Sequence, residues 1–275
     1  MSARLKSLAR QNGEIVERGG YRAPSGRWVD LGARVSAAAD GTRLYGPEAV
    51  RAPDSAGGAT AFEVTSEDSL AAARRLVAGG AGRTGVLNFA SARNAGGGYV
   101  GGAKAQEEDL CRASALYECL LTAPEYYSAH RADPSPFYSD RVIHSPGVPV
   151  FRDRRGELLE EPYEVDFLTS PAPNTGVIAQ RSPERRGEVP AALARRAERV
   201  LEVAAVGGCE ALVLGAWGCG VFRNDPAEVA EAFGVLLTGG GRFADRFGRV
   251  VFAVWERGSA TPVRDVFERR IMSAG

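Results

Sequence analysis

The chain is poor in lysine and histidine and has no net charge. Lys6 and Lys104 are its only lysines, so arginine carries nearly all of the positive charge. Lys+Arg and Asp+Glu each total 34, which gives a formal charge of zero. A broad basic surface is therefore not expected, and neither is specific nucleic-acid binding. Two histidines, His130 and His144, are too few for a histidine-rich metal site. Four cysteines (Cys111, Cys119, Cys209, Cys219) contain no CxxC pair, which argues against a zinc ribbon. No metal is expected. No apolar run approaches the roughly 20 residues of a membrane span. The opening MSARLKSLARQNGEIVERGG has no apolar core of the signal-peptide kind. These absences predict a cytoplasmic protein with reduced thiols and no membrane partner.

What is present suits a folded domain. Of 275 residues, 44% are apolar and 25% charged, so the chain is long enough and apolar enough for a full core. Ser2–Arg18 has helical spacing and stops at Gly19-Gly20, and Tyr21–Val35 reads as a hairpin around Pro24-Ser25-Gly26. Asp54–Gly58 is loop chemistry and is expected to join this extension to the main domain. The division is residues 1–55 as an accessory segment and 56–275 as the main domain.

Strands and helices then alternate. Strands are expected at Thr60–Val64, Thr84–Phe89, Arg141–Ser145, Val148–Phe151, Tyr163–Thr169, Glu210–Leu214 and Arg249–Trp255. Helices are expected at Glu67–Ala78 with Ser66 as cap, at Gln106–Leu121, within Pro183–Val206, at Pro226–Leu237 and at Val263–Ile271. The alternation predicts an α/β fold with a mixed sheet flanked by helices on both faces. Ligands in such folds gather at loops leaving the carboxyl ends of strands.

One such loop follows the buried strand TGVLNF and runs into a helix. It holds Asn94, then Gly96-Gly97-Gly98, seven residues, and Gln106-Glu107-Glu108. Three glycines let the backbone approach a ligand and offer N–H groups to ribose or phosphate oxygens. Adjacent helical residues point about 100° apart. One glutamate can thus aim into the loop while its neighbour braces a second group, and a carboxyl aimed at a sugar can serve as an acid. The plainer reading is that acidic residues complement a helix N-terminus. A second loop, Gly215 to Pro226, joins a buried strand to a helix capped by Asp225, and its glycines present free N–H groups to an anion.

GGG, seven residues and QEE at this spacing resemble the signature of the bacterial-type poly(ADP-ribose) glycohydrolases. ERGGYRAPSGRWVD is similar to that family's accessory segment. The resemblance implies a macrodomain-like mixed sheet with an N-terminal helical and hairpin extension. It implies hydrolysis of ribose–ribose glycosidic bonds in poly(ADP-ribose), releasing ADP-ribose, without a cofactor. Glu108 would be the general acid and base, and Glu107 would hold a sugar hydroxyl. Asn94, Gly96, Gly97, Gly98 and Gln106 would line the ribose and diphosphate. Gly218, Cys219, Gly220 and Val221 would cradle the diphosphate, and Phe222 would pack on the distal ribose. Poly(ADP-ribose), ADP-ribose and ADP-ribosylated proteins are the partners this implies. A non-catalytic ADP-ribose-binding module and a mono-ADP-ribose hydrolase are the alternatives, and the paired glutamates favour an enzyme.

Other features take plainer readings. Asn88 is either a ribose ligand or a strand-end residue. Cys219 is read as packing rather than as a nucleophile, and Tyr126-Tyr127 as core. Arg152–Arg155 and Arg185-Arg186 are read as solvated loops. Ser259–Pro262 caps the closing helix or edges the ligand groove.

Overall fold

The computed structural model describes residues 2–51, 58–256, 258 and 260–272. Helix α1 (Ala3–Glu17) leads into an antiparallel hairpin of β1 (Gly20–Arg22) and β2 (Trp28–Asp30). Next come α2 (Gly32–Gly41), β3 (Arg43–Tyr45), β4 (Ala61–Thr65), α3 (Ser69–Ala78) and β5 (Thr84–Phe89). Three short helices follow, α4 (Gln106–Ala113), α5 (Leu116–Leu121) and α6 (Pro124–Ala132), and then the long strands β6 (Val142–Arg152) and β7 (Leu158–Ser170). The chain closes through α7 (Thr175–Arg181), a 3₁₀ segment (Pro183–Glu188), α8 (Val189–Val206), β8 (Ala211–Gly215), α9 (Pro226–Leu237), β9 (Arg249–Ala253) and α10 (Pro262–Met272).

Seven strands form one mixed sheet in the order β3-β6-β7-β5-β8-β9-β4. The β3–β6 and β6–β7 pairs are antiparallel, and the other four are parallel. Side chains alternate across a strand, and the central strands are apolar on both sides, so the sheet needs cover on both faces. Val86, Phe167, Val213 and Val251 face one cluster, which α1 to α6 complete with Ile15, Val35, Leu76, Leu110, Leu116 and Tyr126. Leu87, Leu168, Leu212 and Phe252 face the other, which α7 to α10 complete with residues such as Ile178, Leu201, Phe233 and Phe267. Each such side chain removed from water contributes about 1.5–3 kcal/mol. This is the macrodomain-like mixed sheet that the resemblance implies. No described helix is long and apolar enough to cross a membrane.

Several elements differ from the sequence expectation. The helix expected over Gln106–Leu121 is two, because Ser114 is extended (φ −142°, ψ 177°) and bridges Val150 of β6. Its hydroxyl donates to Leu110 O at 2.8 Å and accepts from Leu116 N at 3.2 Å, closing one helix and opening the next. No glycine or proline marks that break. The two strands expected around Pro146-Gly147 are one strand, β6, with a register shift between Ser145 and Val148 that leaves Gly147 at φ +58°. Asp68 rather than Ser66 caps α3, its carboxylate accepting from Ala71 N at 2.9 Å. Val35 belongs to α2, not to the hairpin, and α2, β3 and α7 were not expected. Arg152 is not solvated: it is 5% exposed and donates to Asn12 Oδ1 at 2.7 Å. Arg186 pairs with Glu228 at 3.0 Å. Tyr126 and Tyr127 are buried, as read. The joint expected at Asp54–Gly58 falls outside the described residues except for Gly58, and so does Ser259.

Candidate active site

Both glycine loops leave the same edge of the sheet. β5 and β8 are parallel neighbours, so their carboxyl ends, Phe89 and Gly215, lie side by side. A Cβ on Gly215 would stand 2.5 Å from Ala253 O and 3.3 Å from the Phe89 ring. Glycine at that position lets the two loop starts close on one another.

The first loop is a run of turns. Gly97 N donates to Asn94 O, Tyr99 N to Gly96 O, Gly102 N to Tyr99 O and Ala103 N to Gly98 O, each at 3.0 Å. Gly96 and Gly97 have φ of +64° and +58°. A Cβ on Gly96 would press on the Tyr117 ring at 2.9 Å, and one on Gly97 would stand 2.5 Å from Glu108 Oε1. The glycines are therefore demanded by α4 and α5 packing onto the loop as well as by turn geometry. Asn94 is exposed at the loop mouth, where its backbone N–H donates to Ser91 Oγ at 3.2 Å.

Gln106, Glu107 and Glu108 open α4 and point three ways. The Gln106 amide is bonded inside the protein. Its Oε1 accepts from Phe89 N at 2.8 Å, and its Nε2 donates to Leu87 O at 2.8 Å and to Ser69 Oγ at 3.2 Å. The resemblance implies a ligand contact for Gln106, but these bonds make it a splint between β5 and α4. Glu107 is buried; its Oε2 accepts from Ser91 N at 2.7 Å and its Oε1 from Asn88 Nδ2 at 3.3 Å. Burial pushes the Glu107 carboxyl up to about 8, against those two hydrogen bonds and with the Glu108 charge adding to the rise. Burial thus favours the neutral form of Glu107. Glu108 Oε1 accepts from Gly98 N at 2.8 Å, while its Oε2 is buried without a protein partner. Asn88 Oδ1 is likewise buried and unpaired. Two unpaired acceptors beside a glycine loop suit a ligand that brings hydroxyl groups.

The second loop is also built from turns. Gly218 has φ +72°, and a Cβ there would run into the Asn224 amide. Cys219 N donates to Ala216 O, Arg223 N to Gly220 O and Asn224 N to Gly218 O, each at 3.1 Å. Val221 is 78% exposed and a Cβ on Gly220 would meet nothing within 4 Å, so this stretch faces open space. Burial raises the Cys219 thiol to about 12, which leaves no thiolate for nucleophilic chemistry. Phe222 is half-buried, its ring 6.0 Å from that of Tyr138. Asp225 caps α9 by accepting from Ala227 N at 2.8 Å, with Pro226 in the first turn, as expected.

Several supporting residues were not read from the sequence. Ser91 supplies the N–H that holds Glu107, and its hydroxyl accepts from Asn94 N. Tyr138, at φ +59°, backs Phe222. Fully buried Arg196 ties the nearby turn down through Asp140 Oδ1 (3.1 Å), Phe137 O (2.8 Å) and Pro171 O (2.7 Å). One signal was available, since Asn88 is a polar residue near the end of a largely apolar strand. His144 lies elsewhere, and His130 stands behind Tyr138 with ring centroids 5.9 Å apart. His130 bonds Tyr126 O and Ser139, and burial lowers its ring to about 4. His144, Asp166 and Cys209 lie within 4.8 Å of one another, but Asp166 Oδ2 already takes the Arg83 guanidinium at 2.8 Å, which a cation would have to displace.

The family model "microbial-type PARG, catalytic domain" matches residues 9–153. No curated protein matches the chain. Among solved structures, poly(ADP-ribose) glycohydrolase (PARG) from Thermomonospora curvata is 49% identical, with a TM-score of 0.90 over 98% of this chain and 100% of its own. The same glycohydrolase bound to the inhibitor ADP-HPD has a TM-score of 0.89 at 49% identity, again over 98% and 100%. PARG from Deinococcus radiodurans in complex with ADP-ribose is 46% identical, with a TM-score of 0.81 over 89% of this chain and 99% of its own. With the GGG–QEE loop folded onto Glu108 and these likenesses over nearly its whole length, the chain belongs to the microbial-type poly(ADP-ribose) glycohydrolase family.

Proposed function

We propose that the chain hydrolyses ribose–ribose glycosidic bonds in poly(ADP-ribose) and releases ADP-ribose. The observation that carries this reading is Glu108, anchored by one oxygen to Gly98 of the first glycine loop and buried with the other unpaired. The loops supply backbone donors for a diphosphate and riboses. Glu108 protonates the leaving ribose oxygen and then takes a proton from the attacking water. The oxocarbenium-like charge that develops is offset by the substrate's own diphosphate. Glu107 holds a hydroxyl of the flanking sugar, with Asn88 and Ser91 fixing its orientation. Gly96, Gly97 and Gly98 line the distal ribose and diphosphate, and Asn94 borders the ribose. Gly218, Cys219, Gly220 and Val221 receive the diphosphate, and Phe222, backed by Tyr138, packs on the distal ribose.

Residues 1–55 are read as an accessory segment and 56–275 as the catalytic domain. The first is built into the second: α1 and α2 share the apolar cluster on one sheet face, and β3 pairs with β6. ADP-ribosylated proteins, as carriers of the polymer, are the macromolecular partners. Four free cysteines suit a reducing compartment such as the cytoplasm.

Incubation with purified polymer, with products resolved by mass spectrometry, tests the reading. Free ADP-ribose is expected to accumulate. Intact polymer with bound protein would indicate a reader, and release of single units only from mono-modified proteins would indicate a different hydrolase.

A further inference from the structure

Asn12 sits on the buried side of α1, 4% exposed, 99 residues from the helix it touches. Its Nδ2 donates to Arg112 O at 2.7 Å and to Cys111 O at 3.3 Å, in the last turn of α4. Its Oδ1 accepts from Arg152 Nε at 2.7 Å, and Arg152 Nη1 is fixed in turn by Gly156 O at 2.7 Å. The amide therefore has partners on both sides and spans α1, α4 and the end of β6. The same helix also lies on the glycine loop. Ser2 N donates to Gly102 O at 3.3 Å and the Tyr99 hydroxyl to Ala9 O at 3.4 Å. A Cβ on Gly102 would stand 2.7 Å from Ser2 O.

The last carbonyls of a helix have no partner within it. α4 is eight residues long and stops where Ser114 turns extended, so its final carbonyls need an outside donor. Asn12 supplies one. Glu107 and Glu108 stand in the first turn of this short rod, and any tilt about its far end moves them. At that end Glu108 bonds Gly98 of the loop, which α1 also supports, while Glu107 bonds Ser91 and, in β5, Asn88.

We propose that Asn12 is a positioning residue for the reaction: by holding the C-terminal carbonyls of α4 to α1 and β6, it sets where Glu108 stands. This rests on the reading of Glu108 as the acid and base. It gives the N-terminal segment a part in turnover beyond closing the core.

The full chain is compared with Asn12→Ala, Asn12→Ser and, as a stability control, Ile15→Val on the same helix. Turnover and KM on polymer, ADP-ribose affinity by calorimetry and thermal melts are measured well below each melting point. Misplacing a catalytic group by an ångström or less slows reaction strongly, so kcat is expected to fall on the order of tenfold or more in Asn12→Ala. ADP-ribose affinity, carried by the loop backbones, should be unchanged. Asn12→Ser should move in the same direction, and it decides the matter if Asn12→Ala does not fold. Ile15→Val should melt lower with wild-type kcat. Wild-type kcat in a folded Asn12 variant would overturn the proposal, as would an equal kcat loss in Ile15→Val. An inactive wild type would overturn the reading of Glu108 itself, a different and separable result.

Discussion

The backbone N–H of Gly98 donates to Glu108 Oε1 over 2.8 Å, so the third glycine of the loop and the second glutamate of the helix hold one another. Loop shape and carboxyl position are thus one variable. The GGG and QEE motifs are ten residues apart between these two positions, and the turns at Tyr99–Ala103 fold that distance into one contact.

Gly97→Ala should damage this contact from the loop side. Its φ is +58°, where an L side chain costs roughly 1–2 kcal/mol. The new methyl would stand 2.5 Å from Glu108 Oε1. Thermal melting should show a modest loss of stability. ADP-ribose release should fall further than stability does, by about 10²-fold, because the displaced group is the reacting one. A variant with the expected melt and wild-type turnover would show that the loop does not set Glu108.

Glu107 should leave a mark on stability as pH changes. Its carboxyl is raised from 4.5 to about 8 in the folded protein, chiefly by burial. Below the unfolded value both states hold the proton and nothing is lost. As pH rises from there through 8, the unfolded chain loses the proton that the folded one keeps, and stability falls. Glu107→Gln removes that titration. The gap in melting temperature between variant and wild type should shift in the variant's favour from about pH 5 to pH 8.5, then level off. A gap that does not change with pH would mean that Glu107 is ionised in the fold. Hydrolysis should fall less in this variant than in Glu108→Gln, since a neutral amide still holds a hydroxyl.

Most of the strands were legible because they are apolar on both faces and bounded by glycine or charge. β5 was read with its observed ends, as was α9, whose Asp225-Pro226 start is local chemistry. What the sequence hid depends on distant partners. The α4–α5 break at Ser114 exists because Val150 of β6 arrives beside it. Arg152 looked like part of a charged loop, and only the fold brings Asn12 to it. Gln106 belongs to the motif, yet its amide goes to Leu87, Phe89 and Ser69, a use that no spacing rule reveals. The glutamate pair was legible as a pair, but the division between a braced Glu107 and a half-free Glu108 needed Ser91 and Asn88 in place.

Gly220→Glu tests the second loop without disturbing the fold. A Cβ at Gly220 meets nothing within 4 Å, so the variant should melt like wild type. Its carboxylate would enter the space assigned to the diphosphate and repel it. Calorimetry should show ADP-ribose binding strongly weakened. Unchanged affinity would move the diphosphate away from this loop.

The most direct test of the account is ADP-ribose release from polymer by Glu108→Gln alongside wild type, with melts confirming that both are folded. The amide keeps the size of the side chain and can still accept from Gly98, but it has no proton to give the leaving oxygen. General acid–base catalysis contributes about 10²–10⁴-fold, so release should fall by at least that order while ADP-ribose binding survives. A folded Glu108→Gln protein that hydrolyses polymer at near the wild-type rate would contradict the account and return both glutamates to the role of partners for a helix N-terminus.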